Sequence, residues 1–280
     1  NKAGGTALLD ATSIYKSAIE WYSGLRRAVK ERTGLDMFEQ SIPICPRIEQ
    51  TIGGLPVDEH GRVVKGNWNT WFTGLYSAGG ASCSGLNGTG IIAGNRLMED
   101  LVGGSCAGMH AGKWIKNKNF SGTQSLNEAL FSANAEISDM ISNANTNNTS
   151  SISSIKSKLW NSITSNMGFE RSSEGLQNAA KILENLEAEI HKEELVDGNM
   201  IMNTNLMEIL ELRGLISVAR ASIIAAQSRS ESRGSHQRID FQETVNETML
   251  KHTLVDSTMQ INWLPLRKSG SGSWILTPTD

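Results

Sequence analysis

From Ser13 to Arg32 the apolar residues Ile14, Ala18, Tyr22, Leu25 and Val29 recur at helical spacing. Ser13 stands where a cap belongs and Gly34 where a stop belongs, so the pattern predicts an amphipathic helix. Before it, Asn1–Asp10 reads as a polar, glycine-containing lead into a short strand, Thr6–Asp10. After it, Ile42-Pro43-Ile44-Cys45-Pro46 predicts extended backbone, because proline fixes its own φ and disfavours helix in the residue before it. Gln50–Val64 carries Gly53-Gly54 and an Asp58-Glu59-His60-Gly61 turn between apolar positions. That arrangement predicts a β-hairpin beside a place where backbones approach closely.

Leu75–Ala78 reads as a short buried strand that empties into a glycine-rich loop, and a helix begins near Asn95. Leu97, Leu101, Gly104, Gly108 and Ala111 lie along one side of that helix, where small residues allow close packing on a sheet. A strand, a glycine loop and a helix start suit anions or electron-rich rings, because amide N–H groups and the positive helix end point at the ligand. On composition alone, a glycine-rich turn before a packed helix explains the segment equally well. The loop matches neither the G-x-G-x-x-G fingerprint with its later acidic residue nor a Walker loop ending in Lys-Ser/Thr.

Beyond Gly112 the pattern changes. Asn143–Ser154 is a Ser/Asn/Thr tract that reads as a solvated loop. Helices are predicted at about 153–166, 173–194 and 205–228, with stripes such as Leu176, Ala180, Leu183, Leu186 and Ile209, Leu212, Ile216, Ile223. Such stripes predict the core of a small helical bundle, with the acidic run Glu184–Glu194 on a wet face. Trp263–Pro265 and Trp274–Pro278 read as tail strands, joined by a flexible Lys268–Ser273 bridge.

The charges exclude one class of function. With 26 Lys+Arg against 29 Asp+Glu the chain lacks the basic excess that neutralising phosphates requires, so nucleic acid is not expected as a partner. A 39% apolar content over 280 residues is enough for a core, and two domains are expected. Cys45, Cys83 and Cys106 fit neither a disulfide framework nor a zinc site, so no metal and a reducing, cytoplasmic setting are expected. No apolar run approaches the ~20 residues that span a bilayer, and direct membrane insertion is not expected.

Three separated motifs then carry a resemblance. Gly53-Gly54, the stretch Gly74–Gly108, and RSESRGSHQRIDF (Arg229–Phe241) with LKHTL (Leu250–Leu254) resemble, in order, the flavoprotein subunit of the succinate dehydrogenase and fumarate reductase family, which includes L-aspartate oxidase. The resemblance implies an α+β chain: residues 1–45 as the end of a capping domain, 46–118 as the returning strands and helix of a discontinuous FAD-binding domain, 119–245 as a C-terminal helical bundle domain, and 246–280 as a tail. It implies FAD as cofactor, and an N-terminal FAD-domain portion with the glycine fingerprint upstream of Asn1. The chain is therefore expected to be a C-terminal portion, inactive alone. An iron-sulfur subunit is the implied partner, through which the protein would sit peripherally on the inner face of a membrane.

Carried across residue by residue, the resemblance assigns Gly79, Gly80, Asn95, Arg96 and Leu97 to cofactor binding. Gly80 stands where the family has a flavin-contacting Glu, and Arg96 where it has a Ser. The family's substrate-binding His falls on Glu49 and its substrate-binding Arg on Ile91. A Glu and an Ile cannot compensate two carboxylates. Either the substrate is not a simple four-carbon diacid, or the clamp is rebuilt from Arg47, Arg96 or Arg233; a shifted register would also bring Arg96 to the clamp. Arg229, Arg233 and His236 read on their own as a charged helix terminus turned by Gly234, and in the family they lie near the active-site entrance. The resemblance places His252 with them, while on its own a lone His beside Lys251 reads as structural. The implied activity is hydride transfer between a dicarboxylate-like substrate and flavin. The alternatives are a non-catalytic scaffold that docks the iron-sulfur subunit, and a non-redox module holding another nucleotide.

Overall fold

The computed structural model describes residues 7–14, 16–45, 50–116, 118–119, 122–147 and 151–266. The chain divides into two compact units, 1–51 and 52–280.

In the first unit, β2 (Ile42–Ile44) is extended, as the proline-flanked run predicts, and pairs antiparallel with β1 (Ala7–Leu9). The helix expected as one piece is broken: α1 (Lys16–Ile19) passes through a 3-10 turn at Glu20–Tyr22 into α2 (Ser23–Thr33). Gly34 ends α2 with φ 74° and returns its N–H to the Lys30 carbonyl, a stop that favours glycine because a side chain resists that conformation. Ala11, Met37 and Ile42 form a small core with Val29, Leu35 and Phe38 against it. Beside it the buried Asp36 is held by the Arg26 guanidinium, whose charged hydrogen bonds keep the carboxyl below its ordinary range despite burial.

The second unit opens with the predicted turn. The Asp58 carboxylate accepts the His60 and Arg62 amides at 2.9 and 3.0 Å and Gly61 takes φ 71°, so Val57 and Val63 bridge antiparallel. The flanking strands then pair elsewhere. β3 (Leu55–Pro56) lies parallel to β6 (Ser82–Cys83), and β4 (Arg62–Lys65) lies antiparallel to β5 (Asn67–Tyr76). β5 is longer than the short buried strand expected at Leu75–Ala78, and Leu75 is exposed, because β4 is its partner in a two-stranded sheet.

α3 (Asn95–Ile115) starts where expected but turns its other side to the body. A Cβ on Gly61 would lie 2.7 Å from the Ala107 Cβ, and one on Gly103 would touch Ala78 at 3.5 Å. Leu97 and Leu101 are instead exposed, and a Cβ on Gly104 or Gly108 would meet open space. The close-packing stripe is thus bare, and the helix seats through Gly103 and Ala107. His60 stacks on His110 at 4.6 Å, and Tyr76 shares a 2.9 Å hydrogen bond with the His110 Nδ1.

α4 (Thr123–Ser142) is not anticipated from the sequence; Leu126, Leu130 and Phe131 on it are exposed and only its end, through Met140 and Ile141, reaches the core. The bundle follows as α5 (Ile152–Asn166), α6 (Ser173–Ile190) and α7 (Thr204–Ser228), close to the predicted spans. Ser172 and Asn203 cap α6 and α7 by accepting the Gly175 and Leu206 amides. Ile155, Leu183, Ile209, Leu212, Ile216 and Ile223 are fully buried, each worth roughly 1.5–3 kcal/mol of transfer free energy. A short α8 (Asn246–Met249) precedes the hairpin of β7 (Lys251–Val255) and β8 (Ile261–Pro265), which includes the expected Trp263–Pro265 strand. The strand and bridge expected at 268–278 lie outside the described residues. Among the described residues no helix is long and apolar enough to cross a membrane.

Candidate flavin site at the mouth of α3

The chain leaves β5 through Ser77 and Ala78 and makes a 3-10 turn at Gly79–Ala81. Gly79 has φ 63°, and a Cβ there would lie 1.9 Å from the Asp100 Oδ1 and 3.2 Å from the Asp100 Cα. The position therefore requires glycine. Asp100, one turn into α3, accepts the Gly80 amide at 3.2 Å and so fastens the turn to the helix. Gly54 closes the other side: its φ is 146°, and a Cβ would lie 2.5 Å from the Ala81 carbonyl oxygen. The close backbone approach expected around Gly53-Gly54 is this contact.

α3 opens at Gly94, with φ 88° and no side-chain cap. The first-turn amides, including those of Arg96 and Leu97, carry no side-chain acceptor among the described residues, and the positive end of the helix faces out uncovered. Of the cofactor candidates, Gly79 packs on Asp100 and a Cβ on Gly80 would sit 3.9 Å from an Arg96 guanidinium nitrogen, while Asn95 and Leu97 flank Arg96 in the first turn of α3. Ile92, Leu97, Met98, Leu101 and Val102 are all exposed around this mouth. A glycine turn, an open helix end and bare apolar side chains together offer the amide and apolar surface that the carbonyls and ring of a flavin require. The Ser77 hydroxyl, buried at the base of the turn, has no hydrogen-bond partner among the described residues.

The loop from Ser84 to Gly94 is held from behind. Asn87 donates to Glu99, and a Cβ on Gly85 would collide with the His252 ring at 2.8 Å. Gly234, with φ 57°, lies against Thr89, whose hydroxyl would be 3.0 Å from a Cβ there. The arginine-rich segment thus reaches the glycine loop, as the resemblance implies. Its centre is Glu231, fully buried, which accepts from the Arg229 guanidinium, from Arg233 through two nitrogens at 3.1 Å, and from the Val245 amide at 3.0 Å. Burial alone would raise its carboxyl; the hydrogen bonds from Arg233, Val245 and Arg229 outweigh that and hold it below the ordinary carboxylate range.

The substrate candidates fare differently from the cofactor candidates. Arg233 is occupied by Glu231 and by the Asn246 side chain at 2.8 Å. Ile91 follows the 3-10 turn at Gly88–Gly90 and brings no charge. Glu49 and Arg47 lie outside the described residues. His236 bridges an Arg171 nitrogen at 3.0 Å and the Arg229 carbonyl, and burial, with arginines around it, pushes its imidazole below the usual value. Burial does the same to His252, with Arg229 adding to it. Among the described residues no group of three His, Cys, Asp or Glu could hold a metal ion. Asp100 is the residue that sequence reasoning missed: no periodicity marks it, and its role exists only because the turn folds back over the helix.

Asp240 completes the anchoring. The Arg238 guanidinium, then the Ser173 hydroxyl and amide, hold its carboxyl far below the ordinary range. A depressed folded value means that the stability it contributes is present above the unfolded value of about 3.9 and is lost as pH falls through the folded one. Urea melts across an acid series should show stability declining below about pH 4. Asp240→Asn should lower stability at neutral pH and flatten that decline, and parallel curves for the two proteins would refute this role.

Residues 6–97 match the family profile described as FAD binding domain, and residues 156–271 match the one described as Fumarate reductase flavoprotein C-term. The succinate dehydrogenase flavoprotein subunit of Rickettsia conorii is 28% identical over 234 residues, covering 82% of this chain and 39% of that protein. The fumarate reductase flavoprotein subunit of Mycobacterium tuberculosis is 28% identical over 248 residues, covering 86% of this chain and 41% of that protein. The chain thus spans about two fifths of the length of the curated relatives it matches. In fold it is similar to the FrdA chain of a mutant E. coli quinol fumarate reductase, with a TM-score of 0.82 at 22% identity over 100% of this chain and 47% of that one. It is likewise similar to a chain of the Mycobacterium smegmatis Sdh1 complex, with a TM-score of 0.68 at 21% identity over 89% of this chain and 41% of that one. The profiles, the relatives and the fold agree: over residues 6–97 and 156–271 the chain is similar to the flavoprotein subunits of succinate dehydrogenase and fumarate reductase.

Proposed function

We propose that this chain supplies one wall of an FAD site in an oxidoreductase of the succinate dehydrogenase/fumarate reductase type, acting with a dinucleotide-binding portion that corresponds to the remaining length of its relatives. The observation that carries the reading is the uncapped mouth of α3, bordered by the Gly79–Ala81 turn and left bare, within the stretch that matches an FAD-binding profile. FAD, when bound, supplies the acceptor or donor for hydride. The chain's part is to present the Gly79 backbone and the first-turn amides of α3 to it, to keep the turn rigid through Asp100, and to brace the loop through Thr89, Gly234 and His252.

The substrate is proposed to be carboxylate-bearing, but the clamp does not use Ile91 or Arg233. An isoleucine cannot pair with a carboxylate, and the guanidinium of Arg233 is already engaged by the buried Glu231.

The test is expression from the complete reading frame and measurement of flavin absorbance and FAD content per chain. One FAD per chain is expected. A protein that stays colourless after incubation with FAD would overturn the reading.

A further inference from the structure

Among the described arginines of the second unit, Arg96 has neither a carboxylate nor a hydrogen-bond partner, whereas Arg171, which also meets no carboxylate, is engaged by the Gly168 carbonyl and the His236 ring. Arg62, Arg213, Arg220, Arg229, Arg233 and Arg238 each meet a carboxylate within 4.0 Å. Arg96 meets none among the described residues, although Glu99 and Asp100 lie within the same turn of helix: Glu99 takes the Asn87 amide and Asp100 takes the Gly80 amide. Its side chain is exposed and its guanidinium reaches back over Gly80, at the rim of the open helix end. A cation left unpaired at a site that already carries the positive end of a helix concentrates positive charge on one spot, which is unfavourable unless a negative or electron-rich group arrives there.

We propose that Arg96 is the fixed cation of the flavin site and favours the reduced, more negatively charged ring over the oxidised one. The inference rests on the reading of the preceding section, and it adds a consequence that binding alone does not carry. Guanidinium and helix end act on the same electron-rich edge, so removing the guanidinium weakens binding of reduced FAD more than binding of oxidised FAD. A neutral Gln at this position keeps the side-chain length and loses the charge; Lys keeps the charge.

The experiment is dye-equilibrated reduction of FAD bound to the protein expressed from its complete reading frame, for wild type, Arg96→Gln and Arg96→Lys. The expected result for Gln is a loss of roughly tenfold in the preference for reduced over oxidised FAD, read as a midpoint potential lower by about 30 mV for a two-electron couple. Lys should restore most of it. Arg96 is exposed and unpaired, so thermal midpoints should be unchanged. Bound FAD with equal potentials in wild type and Arg96→Gln would overturn the inference while leaving the flavin reading intact. A wild type that binds no FAD would overturn that reading and this inference together.

Discussion

Replacing Glu231 by Ala is expected to destabilise the second unit by about 3–5 kcal/mol, the largest stability change anticipated for any single substitution here. Glu231 is fully buried and accepts charged hydrogen bonds from two arginines. Removing its carboxylate leaves Arg229 and Arg233, both mostly buried, facing each other without a counter-charge. The amide of Val245 also loses its acceptor. Arg229 retains the carbonyls of Met249 and Lys251 and the Thr253 hydroxyl, so the guanidinium cannot simply turn to solvent. Glu231→Gln preserves shape and one acceptor, and should cost less than the Ala change. Urea unfolding followed by circular dichroism measures both. A loss for Glu231→Ala below about 1 kcal/mol, the scale of a surface pair, would show that the cluster is not the anchor described. The consequence extends to function, because the same segment presents Gly234 to Thr89 of the glycine loop.

The second large effect is on the cofactor. Gly79→Ala should lower FAD affinity at least tenfold, on the order of 1.4 kcal/mol, and destabilise the protein besides. Two costs combine. The backbone at Gly79 has φ 63°, which charges a side chain about 1–2 kcal/mol. The new methyl would also overlap the Asp100 carboxylate and crowd the Asp100 Cα at 3.2 Å. The carboxylate can swing away, but doing so releases the Gly80 amide, and the Cα cannot move without shifting α3. The double variant Gly79→Ala/Asp100→Ala separates the two: it removes the carboxylate overlap and keeps the backbone strain, so it should recover part of the stability and little of the affinity. Full FAD affinity in Gly79→Ala would mean that the turn is not a wall of the cofactor site.

Much of this architecture could be read residue by residue. The bundle helices were legible because their stripes, such as Leu176, Leu183 and Leu186, repeat at the helical period, and burial of such a face is a local property of the helix. The stop at Gly34 and the turn at Asp58–Gly61 were legible for a related reason: a positive φ and an Asp side chain bonded to following amides are settled within a few residues. The mouth of α3 was legible as a cluster, since the strand exit, the glycines and the helix start are contiguous. α4 was not, because its large apolar residues are diluted by Ser, Asn and Glu and most of them, such as Leu126, Leu130 and Phe131, are exposed. The break at Glu20–Tyr22 was also hidden, for the apolar spacing runs through it unchanged.

The sequence by itself determined the spans of the three bundle helices, the stop at Gly34, and that a strand, glycine turn and helix start follow one another, because each depends on torsions and periodicities confined to neighbouring residues. Only the tertiary structure decided which side of α3 seats against the body, that β3 pairs parallel with β6 and not within its own hairpin, and that Arg233 serves Glu231 while Arg96 stands unpaired. Those outcomes depend on partners far away in the chain, and the energy of a contact or an ion pair is defined only once both members are in place.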